Sequence, residues 1–99
     1  MILVTGGAGF IGSNLVNELL KNKYPTIVCD FNAKIDKNYF EETNNILKFV
    51  EPIGLKNFIN ENKISVIFHL GAISSTTFPD ANQIWYNNIF TSKSIWDLC

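Results

Sequence analysis

The chain has no arginine. All eight of its cations are lysines, so no side chain can grip a phosphate or carboxylate with the two parallel hydrogen bonds of a guanidinium. Nine carboxylates leave a formal net charge of -1, and neither nucleic acid nor an anionic membrane is expected as a partner. Cysteine is scarce too. Cys29 and Cys99 show no metal-ligand or redox spacing, so no metal site is expected, and both read as reduced thiols of a cytoplasmic protein. Cys29, in the run TIVCD, reads as a small buried strand residue. The single histidine, His69, lies in an apolar run and reads as a hydrogen-bonded core residue rather than an acid or base. No apolar run approaches the roughly 20 residues of a membrane span. The N-terminus lacks a basic region ahead of its apolar residues, so no signal peptide is expected. Repeats, low-complexity tracts and linkers are also missing.

What the chain does have is concentrated at its start. In MILVTGGAGFIG, Ile2, Leu3 and Val4 form an apolar run set directly against Gly6, Gly9 and Gly12. That is the pattern of a buried parallel strand, a tight turn and a helix whose N-terminus faces a pyrophosphate. Gly6 would make the turn, Gly9 would let backbone amides approach the phosphates, and Gly12 would let the helix pack close to the sheet. With 99 residues, 46 % of them hydrophobic, there is room for one domain, residues 1–99, burying roughly 60 to 65 % of the surface of its unfolded chain.

Apolar residues Phe10, Ile11, Leu15, Val16, Leu19 and Leu20 recur at helical spacing and predict a helix ending near Asn22. Thr26 to Cys29 predicts a second strand stopping at Asp30, residues 31 to 45 a polar loop with one helical turn, and Ile46 to Val50 a third strand broken by Pro52-Ile53-Gly54. A short helix from Leu55 to about Asn62 and a fourth strand of the buried, nearly all-apolar kind from Ile64 to Leu70 follow. Asp80 is the expected N-cap of a last helix, with Ala81, Ile84, Trp85, Ile89, Ser92 and Trp96 sharing one face. The order predicts an α/β fold: the N-terminal half, about four strands, of a doubly wound Rossmann-type parallel sheet whose full strand order is 3-2-1-4-5-6. Strands 5 and 6 are missing, so the chain reads as ending in mid-architecture, with the apolar edge of strand 4 bare and prone to association.

Asp30, at the end of strand 2, stands where a carboxylate accepts hydrogen bonds from an adenine ribose; the plainer reading is a strand-ending turn residue. Alone it favours NAD, because it would repel a 2′-phosphate. Lys37 and Lys56 are either solvated surface lysines or point charges able to neutralise that phosphate. FHLGAISSTT, residues 68 to 77, lies beside the topological switch point. There Gly71 and Ala72 would permit close approach of a cofactor, and Ser74, Ser75, Thr76 and Thr77 would offer hydroxyls to polar substrate oxygens. Of Asn87 and Asn88, one pointing at the sheet could bond the cofactor or the loop after strand 4.

TGGAGFIG at residues 5–12 matches letter for letter the opening of the extended short-chain dehydrogenase/reductases, and the chain resembles the NAD-dependent epimerases and dehydratases of that family. GAISSTT at 71–77, the stretch through Trp85 and Tyr86, and Asn87-Asn88 followed by Ser92-Lys93 are most similar to its heptose 6-epimerase branch. The resemblance covers the whole chain, but as the N-terminal third of such an enzyme. It implies cofactor contacts at Phe10, Ile11, Asp30, Phe31, Lys37, Lys56, the segment Leu70, Gly71, Ala72, Ile73 and Ser74, and Asn87. It also implies NADP as cofactor, with NAD as the alternative. Where the family usually has Asp-Asn after strand 2, this chain has Asp30-Phe31-Asn32, and Glu51-Pro52 stand where an Asp is common.

The activity implied is epimerisation of ADP-D-glycero-D-manno-heptose by transient oxidation and reduction, in lipopolysaccharide core precursor synthesis. The implied enzyme is a cytoplasmic homo-oligomer acting on a nucleotide-sugar. A UDP- or dTDP-sugar epimerase or dehydratase, or a non-catalytic NAD(P)-binding module, are the alternatives. The family's proton step needs a tyrosine with a lysine four residues on. Tyr24, Tyr39 and Tyr86 are followed at that spacing by Val28, Thr43 and Phe90. No catalytic residue is therefore expected within these residues, which alone should be inert.

Overall fold

The computed structural model describes residues 1–31, 35, 40, 45–73 and 77–99. Four strands, β1 (Ile2–Thr5), β2 (Thr26–Cys29), β3 (Ile46–Val50) and β4 (Val66–His69), form one parallel sheet in the order β3-β2-β1-β4. This is the N-terminal half of a Rossmann-type sheet, as the strand and helix pattern predicted. The expected loop helix, Lys37 and Ser74 lie outside the described residues, as do Ser75 and Thr76.

Side-chain alternation along the two central strands builds the core. Leu3, Ile27 and Cys29 point to one face, where Val50, Leu55, Ile59 and Ile95 pack against them. Val4 and Val28 point to the other, against Val16 and Leu20 of helix α1 (Phe10–Lys21) and against Phe40. β1 and β2 are buried on both sides because they are central and parallel, with helices over each face. Helix α2 (Leu55–Glu61) follows a 3-10 turn at Pro52–Gly54 and covers the first of these faces.

β4 departs from expectation. It is four residues long rather than spanning Ile64 to Leu70, and it is not fully buried: Val66 is 44 % and Phe68 37 % exposed. The cause is position. β4 has β1 on one side only, and α1 packs mainly over β1 and β2, so among the described residues no helix covers the side chains on that face of β4 as it does those of β1 and β2. Ile67, on the opposite face, does pack into the core.

The last helical segment runs as α3 (Ala81–Trp85), a π-helical turn at Tyr86–Phe90, and α4 (Thr91–Leu98). Asp80 caps it as expected, its Oδ1 accepting from the amides of Asn82 and Gln83 at 3.0 and 3.1 Å. The residues expected to share one face are not the ones that pack, however. Ile95 is the buried residue of α4, whereas Trp85 and Ile89 are about half exposed and Trp96 is 82 % exposed. A π turn adds a residue and rotates everything after it by about 100° relative to an unbroken 3.6-residue period. Trp85 and Tyr86 instead stack on Phe90, with ring centroids 6.2 and 5.1 Å away.

Helix α1 ends in a Schellman motif: the Tyr24 amide donates to Leu19 O at 3.0 Å and the Lys23 amide to Leu20 O at 2.9 Å. The left-handed position that this motif requires is taken by Lys23, at φ 60°. An L-residue with a Cβ costs about 1–2 kcal/mol there, partly offset by the greater freedom glycine has when unfolded. Lys23→Gly is therefore expected to stabilise the fold by up to about 1 kcal/mol, raising Tm by several degrees in thermal unfolding.

Candidate functional site at the strand ends

The carboxyl ends of β1, β2 and β4 open into one cleft of about 420 Å³, which α1 enters with its N-terminus. The turn that aims α1 starts at Gly6, whose φ of 69° is a conformation side chains rarely adopt. Its amide donates to Cys29 O at 2.8 Å, tying the turn to β2. A Cβ on Gly6 would also lie 2.7–2.8 Å from the Gly71 backbone, so the two turns touch main chain to main chain. At Gly12 a Cβ would overlap the Gly6 carbonyl oxygen, which is why the first turn of α1 can sit so low over the sheet.

Gly9 is the N-cap of α1, and no side chain caps the helix there. The first intrahelical bond is Ser13 N to Gly9 O, 2.8 Å. The amides of Phe10, Ile11 and Gly12 therefore have no intrahelical acceptor, as in any uncapped first turn. Together with the positive end of the helix dipole, such free amides are able to hold an anion without a cationic side chain. The Gly9 amide itself donates to Gly6 O at 3.1 Å. Having no side chain, Gly9 leaves the helix end uncovered.

Asp30 is 6 % exposed and lines the cleft at the end of β2. Its Oδ2 accepts from the Ala8 amide at 3.0 Å and its Oδ1 from the Phe31 amide at 2.8 Å. The carboxylate thus fixes the glycine turn as well as offering its remaining lone pairs to the cleft. Burial, with the neighbouring Asp30 charge, pushes the Cys29 thiol up to about 12 from 9.0. A thiol raised in the folded state contributes stability that is complete below about 9 and is lost as pH rises through about 12. In native protein at pH 8, a thiol reagent is expected to modify exposed Cys99 alone, with Cys29 reacting only on unfolding. Mass spectrometry of the labelled chain checks this.

On the other wall, Asn88 brackets the backbone of Ile73, its Oδ1 accepting from the Ile73 amide at 2.7 Å and its Nδ2 donating to the Ile73 carbonyl at 2.9 Å. One of the two asparagines does hold the loop after β4. Asn87 lines the cleft while donating to Gln83 O at 3.0 Å.

A family model described as "NAD dependent epimerase/dehydratase family" matches residues 2–99. The chain belongs to this family. Among similar proteins, the ADP-L-glycero-D-manno-heptose-6-epimerase of Brachyspira hyodysenteriae is 39 % identical over 108 residues, taking in 100 % of this chain and 33 % of that protein. The UDP-N-acetyl-alpha-D-glucosaminuronate decarboxylase of Bacillus cytotoxicus is 43 % identical over 99 residues, covering 94 % of this chain and 30 % of that protein. An epimerase structure from Methanothermobacter thermautotrophicus aligns with a TM-score of 0.80 at 27 % identity, covering 98 % of this chain and 30 % of the other. The chain spans about a third of the length of the curated relatives it matches.

Within this epimerase/dehydratase half-fold, the cleft brings together Gly6, Gly9, Phe10, Ile11, Gly12, Asp30, Phe31, Leu70, Gly71, Ala72, Ile73 and Asn87 from the sequence reading. Lys56 is exposed on α2 and lines a separate groove between α2 and α4. Thr5, Pro52, Leu55 and Thr91 also line the cleft and were not singled out from sequence. Their signal was weak: each comes from a different element, and only the folded sheet gathers them. Gly7 was missed as well. A Cβ there would meet Val28 Cγ1 at 2.8 Å, so the second glycine of the pair is a packing requirement. Among the described residues no helix is long and apolar enough to cross a membrane, and no cluster of side chains suits a metal ion.

Proposed function

We propose that these residues bind a nicotinamide dinucleotide as the cofactor-binding part of a sugar-nucleotide epimerase acting on an ADP-activated heptose. The observation that carries the reading is the uncapped first turn of α1 facing the cleft, with the Asp30 carboxylate at its far end. The residues fit the group: Gly6 and Gly12 leave no room for side chains, and the amides of Phe10, Ile11 and Gly12 would take the pyrophosphate. Asp30 would accept the adenine ribose hydroxyls, and Gly71 and Ala72 would lie against the nicotinamide half. A nicotinamide bound there supplies reversible hydride transfer to and from a sugar carbon.

Among the described residues, Asp30 is the charged side chain lining the cleft, and Lys56 is outside it. This arrangement favours the free ribose hydroxyl of NAD over the 2′-phosphate of NADP, against the NADP preference that the resemblance implied. Identity over the full chain supports the heptose substrate, and the similarity to a UDP-sugar decarboxylase supports a UDP-sugar as the alternative. The proton donor and acceptor would come from outside these residues, which hold no tyrosine with a lysine four places on. The whole enzyme would be a cytoplasmic homo-oligomer contributing to lipopolysaccharide core precursors. Titration with NADH and NADPH in parallel tests the cofactor reading: binding of both with NADH about tenfold tighter, a difference of about 1.4 kcal/mol, is expected. Binding of neither would overturn it, and tighter binding of NADPH would overturn the preference for NAD.

A further inference from the structure

His69 ends β4 half buried, between two hydroxyls. Its Nδ1 lies 2.6 Å from Thr5 Oγ1 and its Nε2 lies 2.7 Å from Ser92 Oγ. Two further bonds fix the direction of the chain. Ser92 Oγ donates its one hydrogen to the Asn88 carbonyl at 2.8 Å, so toward the ring it can only accept, and Nε2 must carry a hydrogen. Nδ1 is then the acceptor of the neutral ring, and Thr5 Oγ1 donates to it. Thr5 Oγ1 is left free to accept from the Gly71 amide, 3.2 Å away. Every hydrogen in the series has one acceptor. The series ends on the residue whose backbone packs against Gly6 to make the floor of the cleft.

We propose that His69, as the neutral Nε2–H tautomer, is a positioning residue that holds the Gly71 turn against Gly6 through Thr5, and that protonating the ring loosens this turn. In the imidazolium both nitrogens donate. Thr5 Oγ1 has two lone pairs and can accept from both Nδ1–H and the Gly71 amide, but its own hydrogen would lose its acceptor on the ring, so the hydroxyl must turn and its bond to Gly71 is weakened rather than broken. Asn88 still clamps Ile73 two residues on, so the loosening is confined to the first residues of the loop.

The ring's surroundings reinforce the neutral form. β1 presents the Thr5 hydroxyl and α4 the Ser92 hydroxyl; the nearest cation and anion on α4, Lys93 and Asp97, pair with each other on its exposed side. On the β2 side stand the Cys29 thiol, in register with Thr5, and the Asp30 carboxylate, engaged by the Ala8 and Phe31 amides. Burial accordingly holds the imidazolium below its ordinary 6.5. The turn is therefore held most firmly at neutral pH and loosened as pH falls below that value.

The chain has one histidine, so long-range ¹H–¹⁵N correlations report its ring without ambiguity. The expected spectrum at pH 7.5 (on the order of one unit above the ordinary His pKa) is that of the Nε2–H tautomer. In an acid titration the Gly71 amide shift should move in step with the ring. Thr5→Val should uncouple the two, and Thr5→Ser should restore the coupling. An Nδ1–H tautomer, or a Gly71 amide that stays still while the ring titrates, would overturn the proposal even if neither variant folds.

The consequence for affinity rests on the dinucleotide reading above: NADH binding should weaken several-fold across the same pH interval. Absence of NADH binding at any pH would sink that reading, while the ring and amide titrations would still decide the relay.

Discussion

Gly12→Ala is expected to be among the most damaging single-methyl changes available in this chain. The added carbon would be driven into the carbonyl oxygen of Gly6, with the Gly7 Cα 2.9 Å away. Neither neighbour is the flexible end of a side chain. Relief requires α1 to lift from the sheet, which disturbs Val16 and Leu20, both fully buried against Val4 and Val28. Overpacking of this kind costs about 1–3 kcal/mol and more where backbone meets backbone. The amides of the first turn would move with the helix, so dinucleotide affinity should fall by about 100-fold, equivalent to about 2.8 kcal/mol. Gly54→Ala is the matched control, because a Cβ there meets nothing within 4 Å. Thermal unfolding and NADH titration of the two variants should separate them clearly; equal behaviour would refute the packing argument.

The second large effect is expected at Asp30. Asparagine keeps its shape but replaces one acceptor oxygen with an NH₂, while both carboxylate oxygens are engaged by backbone amides, those of Ala8 and Phe31. One of the two bonds must be lost, leaving a donor facing a donor in a nearly buried site. Hydrogen bonds to a charged group contribute about 1.5–3 kcal/mol each, so Asp30→Asn should lower stability by about 2 kcal/mol. It should also change cofactor choice. With the negative charge gone, a 2′-phosphate is no longer repelled and the ribose hydroxyls have a weaker acceptor, so the NADH to NADPH affinity ratio should fall by about tenfold. An unchanged ratio would show that Asp30 serves the glycine turn alone.

Much of this was legible in the residues because the informative features are local. A glycine that must adopt φ 69° and a helix that must start without a side-chain cap leave their mark within a dozen positions. β2 and β3 could be bounded to the residue, since each run of β-forming residues is cut by a charged or proline-containing segment. What could not be read depends on neighbours distant in sequence. VIFH looks the same whether one face or two are covered, and only the placement of α1 over β1 and β2 leaves Phe68 exposed. The π turn at Tyr86–Phe90 has no breaker residue to announce it, so a regular helical period put Trp96 on the wrong side. Thr5 illustrates the same limit: its meaning depends on His69 and Gly71, more than sixty residues away.

The central claim is that the first-turn amides of α1 hold linked phosphates. Backbone amide shifts recorded while NADH is added test it most directly. The amides of Phe10, Ile11 and Gly12 should show the largest downfield movements, with Gly71 and Ala72 following, and Gly12→Ala should abolish the pattern. Saturable binding that leaves those three amides unmoved would contradict the claim.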